Sequence, residues 1–245
     1  MPRSARIDRP GILHHVMIRG IERRRIFSDN NDRNDFLTRL SVLLPETGNK
    51  CYAWTFMDNH AHFLFQSGNL GIAVLMRRLL TGYAVSFNRR HQRHGQLFQN
   101  RYKSIICQED KYLLELVRYI HLNPLRAKVV SSLEQLGEYP YCGHGALLGT
   151  KKIEWQDCEY VLRYFGKNKK NAKRQYFSFV ESAHDQGRRP ELTGGGLIRS
   201  LGGWSEIKKL RIEGQDRIKG DQRILGEEDF VNAVLSQADE KYSDQ

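Results

Sequence analysis

No stretch of this sequence approaches the roughly 20 consecutive apolar residues that a membrane-spanning helix needs. The opening run Met-Pro-Arg-Ser-Ala-Arg also lacks the apolar segment of a secretory signal. Both absences lead to the expectation of a cytoplasmic protein. Cysteine is scarce: Cys51, Cys107, Cys142 and Cys158 are widely spaced and form no CxxC pair, which argues against a zinc knuckle or a disulfide framework. Low-complexity tracts are missing too. With 40% hydrophobic and 10% aromatic residues, the composition is that of a folded chain rather than a disordered or fibrous one.

Acidic residues are absent over a long interval. None occurs across positions 59–108, where Arg77, Arg78, Arg89, Arg90, Arg93, Arg101 and Lys103 all fall. The chain as a whole carries a net charge of +11, and the excess is uneven: 21 basic and 12 acidic side chains precede residue 150, against 18 and 16 from there on. A solvated helix face usually mixes both signs, so an acid-free basic segment is better read as adjoining phosphate. These seven side chains are candidate DNA contacts. Arg3 and Arg6, with Arg9, form a candidate basic arm at the N-terminus.

Hydrophobic spacing gives an outline. Residues 12–19 read as a strand stopping at Gly20, and 31–44 as a helix through Phe36, Leu37, Leu40 and Leu44. Segments 51–57 and 60–66 are strand-like with only Asp58-Asn59 between them, a hairpin signal. From Leu70 to about Arg90 apolar residues recur at threes and fours, marking a long amphipathic helix. Residues 101–107 read as a fourth strand, and Asp110 as the cap of a helix that ends before Pro124. The order β-α-β-β-α-β followed by a third helix predicts an α+β, ferredoxin-like split-βαβ domain over residues 1–150, with helices on one face of an antiparallel sheet and the other face open to a ligand. Residues 151–245 read as a smaller helical region, with helices over 157–165, 169–184, 205–212 and 227–238.

Two groups of residues carry chemistry. His60 and His62 flank Ala61 on a strand, so both imidazoles project from one face about 6 to 7 Å apart and can converge on one divalent ion. On the third helix Glu115, Tyr119 and Asn123 are four apart and share one stripe. If Asn123 adds an oxygen ligand to the two histidines, the ion can withdraw charge from a phosphate while the Tyr119 hydroxyl attacks. A phenol needs nearby positive charge or a water base to lose its proton. The ligand set suits Mg²⁺ or Mn²⁺ and would equally accept zinc. The remaining histidines, His14 and His15 among them, read as packing or phosphate contacts. Of the aromatics in the basic segment, Tyr83 and Phe87 are expected to face the core, leaving Phe98 and Tyr102 as candidates for base stacking.

Four separated motifs then resemble one family: His14-His-Val-Met-Ile-Arg-Gly20, Asp58-Asn-His-Ala-His62, Gly95-Gln-Leu-Phe-Gln-Asn-Arg-Tyr-Lys-Ser104 and Tyr119-Ile-His-Leu-Asn-Pro124. In this order and spacing they are similar to the REP-associated tyrosine transposases of the single-tyrosine HUH transposase superfamily, over about residues 1–145. The resemblance implies a metal-dependent single-strand DNA endonuclease and strand-transfer enzyme acting at repetitive extragenic palindromic hairpins. It matches Tyr119 to the family nucleophile, His60 and His62 to the HUH metal pair, and Asn123 to the polar helix ligand. It implies a 5′-phosphotyrosine intermediate, a nucleoid-associated location and a monomer or homodimer. The competing expectations are a DNA-binding regulator of palindromic elements that has lost cleavage, and a phosphodiesterase that uses water.

Overall fold

The computed structural model describes residues 8–187, 189–193 and 223–243. Arg3, Arg6 and the helix expected over 205–212 lie outside them. The first elements follow the expected order: β1 (Leu13–Arg19), α1 (Asn30–Thr47), β2 (Lys50–Met57), β3 (His60–Gln66), α2 (Gly71–Arg90), β4 (Lys103–Cys107) and α3 (Glu109–His121). Short helices follow: α4 (Asn123–Arg126), α5 (Leu133–Glu138), α6 (His144–Leu148) and α7 (Cys158–Leu162), then the longer α8 (Lys169–Glu181). After a 3-10 turn at Pro190–Thr193 come β5 (Ile224–Leu225) and α9 (Glu228–Ser243).

The sheet has the order β2-β3-β1-β4-β5. Its first four strands pair antiparallel, whereas β5 joins the edge of β4 in parallel. Tight local signals set the element ends. Asp29 caps α1 by accepting from the Asp32 amide at 2.9 Å, and the Asp32 carboxylate accepts in return from the Ser28 amide at 2.8 Å. Gly48, with φ 67°, closes that helix in the left-handed conformation that glycine adopts without steric cost. At α3 the cap position is Gln108, without a side-chain cap bond, and Asp110 lies inside the first turn. There its carboxylate favours the positive end of the helix dipole.

Alternation along the strands sends two sets of side chains to two cores. Val16, Ile18, Phe56, Phe63 and Phe65 meet Phe36 and Leu40 of α1 and Leu75, Leu79 and Tyr83 of α2. Leu13, Tyr52, Leu64 and Ile105 face the other way, onto Leu113, Leu116, Val117 and Ile120 of α3. Each such side chain contributes roughly 1.5–3 kcal/mol by leaving water. The second face is therefore covered, not open as the strand pattern suggested. The α3 stripe closes it, and the same cluster continues past residue 150 into Val161, Leu162, Ala172, Tyr176 and Val180. Tyr176 seats α8 by meeting Nδ1 of both His121 and His144, at 2.8 and 2.7 Å. Among the described residues, the β2–β3 hairpin end of the sheet stays accessible, with Asp58 exposed and Asn59 and His60 half-buried.

Candidate active site

The antiparallel register builds this end residue by residue. Met17 of β1 lies opposite His62, and Arg19 opposite His60. His15 and Met17 therefore share the α3 face with both histidines of β3. The hairpin turn is pinned from outside: the Asp58 carbonyl accepts from the amides of Ile26 and Phe27, at 2.8 and 3.0 Å, and the Asn59 carbonyl from Gly20, at 2.9 Å. Gly20 is required there, because a Cβ would lie 2.0 Å from the Arg24 carbonyl oxygen. The segment after α2 is strapped to the same end, with Ile21 donating to Leu97 and Gln99 donating to Arg19.

The imidazole rings of His60 and His62 stand 5.4 Å apart, centroid to centroid. Asn59 donates its amide to the Arg23 carbonyl at 3.1 Å, so its Oδ1 faces His60 and accepts from Nδ1 at 2.5 Å. A neutral imidazole has one proton, and Nε2 of His60 is then a lone pair. His62 is bonded through Nδ1 to Nε2 of His15 at 2.9 Å, and its own Nε2 meets no partner among the described residues. Burial brings the His60 pKa down to about 4, with the Arg19 charge adding to the shift. Burial also takes His62 well below the ordinary histidine range, with His15, His60 and Arg19 adding. Both are neutral at pH 7, the state in which imidazole binds a metal.

Tyr119 arrives from α3. Its ring packs edge-on to His62 at 6.0 Å and to His15 at 5.9 Å. The Arg126 guanidinium lies 5.3 Å from the centre of the same ring, held by the carbonyls of Tyr119 at 3.3 Å and Gln186 at 3.1 Å. Burial lowers the pKa of Arg126 and Tyr119 opposes that shift. A cation over this ring supports loss of the phenol proton. Asn123 opens α4 directly after the α3 terminus, and its Nδ2 turns back to the Ile120 carbonyl at 3.4 Å. That leaves Oδ1 as the atom with which it could ligate an ion. Glu115, on the same stripe, is held by Arg118 at 2.6 Å and Arg189 at 3.3 Å.

Two imidazoles with unprotonated Nε2 atoms fit a divalent ion. Among the described residues no cluster of three or more His, Cys, Asp and Glu is placed to hold a metal, so further ligands have to be amide, water or substrate oxygens.

The basic residues divide. Arg78 donates to Glu46 at 2.6 Å, and Arg90 binds Asp32 and, at 3.5 Å, Asp35. Arg93 is held by Asn88 and the Gln96 carbonyl. Arg77, Arg89 and Arg101 are exposed, and the exposed Lys103 donates to the Thr193 carbonyl at 2.6 Å. Tyr83, Phe87 and Tyr102 are buried, so Tyr102 is not a stacking surface. Phe98 packs partly buried against the first core. The sequence gives no role to Arg19 or Arg126, and it reads His15 only as a packing or phosphate contact. Strand alternation puts His15 and Arg19 on one face, but only the pairing with β3 shows that it is the face of His62, and Arg126 lies one turn beyond the motif that ends at Pro124.

Residues 10–123 match the model of the IS200-like transposase family. Over those residues the chain is similar to the IS200-like transposases. A comparison with curated proteins finds no match. Among solved structures, one described as a REP-associated tyrosine transposase bound to a REP hairpin aligns with a TM-score of 0.50 and 12% identity, over 64% of this chain and 98% of that one. At that identity the likeness speaks to the fold. The α+β fold is thus shared with that structure, and the His60–His62 strand and the Tyr119 helix both lie inside the residues that match the family model.

Proposed function

We propose that this chain is an IS200-like transposase that cleaves and rejoins single-stranded DNA at palindromic hairpins, with Tyr119 as nucleophile and His60, His62 and Asn123 as the residues that would hold a divalent ion, Mg²⁺ or Mn²⁺. The observation that carries the reading is the placement of the Tyr119 ring 6.0 Å from His62 and under the Arg126 guanidinium. A bound ion would withdraw charge from a non-bridging phosphate oxygen.

The chain's own residues supply the rest. Tyr119 gives up its proton to water, assisted by the Arg126 charge, and its oxygen forms a bond to phosphorus as the bond to the 3′ oxygen breaks. The products are a 5′-phosphotyrosine link and a free 3′-hydroxyl. Bond energy is conserved in the link, so a second 3′-hydroxyl can reverse the reaction without an outside energy source. Arg19 and Arg101, exposed at the same end of the sheet, fit the backbone of an unpaired strand.

Incubation with Mn²⁺ and single-stranded oligonucleotides carrying palindromic hairpins is expected to give a protein–DNA adduct that survives denaturation and disappears in Tyr119→Phe. An adduct undiminished in that variant would overturn the nucleophile. Cleavage to free ends without an adduct would indicate water as the attacking group, and binding without cleavage would indicate a regulator.

A further inference from the structure

We propose that His15 is a positioning residue for the metal pair: it fixes which nitrogen of His62 faces the ion, through a chain of hydrogen bonds that begins at the backbone carbonyl of Leu192. The proposal rests on the metal reading above and deepens it.

The direction of each bond follows from its first member. A carbonyl oxygen has lone pairs and no proton, so at 2.9 Å from Leu192 O the Nδ1 of His15 is the donor. The single proton of a neutral ring is then on Nδ1, and Nε2 of His15 is an acceptor. The atom facing it at 2.9 Å is Nδ1 of His62, which therefore carries the His62 proton. The Nε2 of His62 is left as the lone pair, on the side of the ring away from His15. An imidazole free in water favours the opposite tautomer, with its proton on Nε2, so this arrangement has to be imposed. Metal-bound histidines in general depend on such a partner for tautomer and ring orientation.

His15 is placed to do this. It is fully buried, and its ring lies 5.2 Å from that of His62 at a 30° tilt and 5.9 Å from that of Tyr119. Both of its nitrogens are engaged, so it is not a third ligand. The neighbouring His14 bonds Ser104 instead, at 3.0 Å, and points to the opposite side of the strand. Leu192 belongs to the 3-10 turn Pro190–Thr193, far beyond the matched family region. The region after residue 150 thereby reaches the metal pair through one backbone atom.

The test uses the full-length chain labelled with ¹⁵N-histidine, first free of metal and then titrated with Mn²⁺ at neutral pH. The metal-free wild type is expected to show His62 protonated on Nδ1. In His15→Phe the His62 proton is expected to move toward Nε2 and Mn²⁺ affinity to fall about 10–100-fold, with circular dichroism unchanged. His15→Gln, whose amide oxygen accepts from His62, is expected to regain part of the affinity, and His14→Phe to leave tautomer and affinity as they were. A wild type with His62 protonated on Nε2 overturns the proposal even if His15→Phe does not fold. So does a folded His15→Phe with wild-type Mn²⁺ affinity. If the wild type binds no Mn²⁺, the metal reading fails, and a His62 proton found on Nδ1 in that sample still identifies His15 as its holder.

Discussion

The two faces of this sheet are built from alternate residues of the same strands, yet they differ in kind. One face is an aromatic core in which Phe27, Phe36, Phe56 and Tyr83 meet stacked, tilted or edge-on at 4.8–5.8 Å. Cations at its margin end on carboxylates: Arg39 on Asp35, Arg78 on Glu46, Arg90 on Asp32. The other face has an apolar floor under α3 and, at its open end, neutral imidazoles beside a phenol. There Arg126 ends on carbonyl oxygens instead of carboxylates. A full cationic charge thus remains beside the phenol that the proposed reaction would turn into an anion. One face holds the fold, and the other presents charge and lone pairs to a ligand.

Substitutions that separate the two roles test this division. The largest effect is expected on the open face, where Tyr119→Phe removes the proposed nucleophile: adduct formation should vanish while the urea midpoint shifts little, because the ring stays in place. Phe36→Ala on the aromatic face should do the reverse. Loss of a large, fully buried ring costs about 3–5 kcal/mol, readable in urea unfolding, while the protein that remains folded keeps its adduct rate. A Tyr119→Phe variant as destabilised as Phe36→Ala would mean that the phenol is a core group.

A smaller effect is expected from Arg126→Met. Removing positive charge beside the phenol disfavours the phenolate, so adduct formation should slow by about tenfold at neutral pH and recover as the pH is raised. An unchanged pH–rate profile would remove Arg126 from the chemistry.

Much of this was legible in the sequence, for a physical reason: strands of period two and helices of period 3.6 announce themselves locally. The hairpin at Asp58-Asn59, the α2 stripe and the shared face of His60 and His62 all follow from spacing alone. What was hidden depends on contacts distant along the chain. The arginines of the acid-free interval looked uncompensated, but α1 brings Asp32 and Asp35 against Arg90 and Glu46 against Arg78. β5 has two residues, too few to show a period. The covering of the second face needed the α3 stripe to be matched with Leu13, Tyr52 and Leu64. His15 and His14 are adjacent and chemically alike, and only the sheet register tells which of them meets His62.

The seam behind the open face offers a pH test. Burial takes His144 down to about 4 and His121 well below the ordinary histidine range, the latter with His144 adding. Both are depressed relative to the unfolded chain, near 6.5. The unfolded state therefore binds more protons as pH falls, and stability that is complete above pH 6.5 is lost progressively toward pH 4 and below. The steepest slope is about 1.4 kcal/mol per pH unit for each such histidine. His144→Gln should flatten the acid limb of a urea-midpoint titration and leave the values above pH 7 parallel. An acid limb as steep as the wild type would assign the loss to other groups.

The smallest expected effects concern DNA affinity, and they divide the basic residues by face. Arg19 and Arg101 are exposed at the open end, whereas Arg78 is paired with Glu46 on the helical face. Each phosphate contact on a single strand contributes about 0.7 to the slope of log affinity against log salt concentration. Arg19→Gln and Arg101→Gln should each lower the slope by about that amount. Arg78→Gln should leave it unchanged and alter stability by no more than about 1 kcal/mol, the range of an exposed pair. If Arg78→Gln lowers the slope as much as Arg101→Gln, the strand also crosses the helical face, and the division between a face that holds the fold and a face that meets DNA fails at its margin.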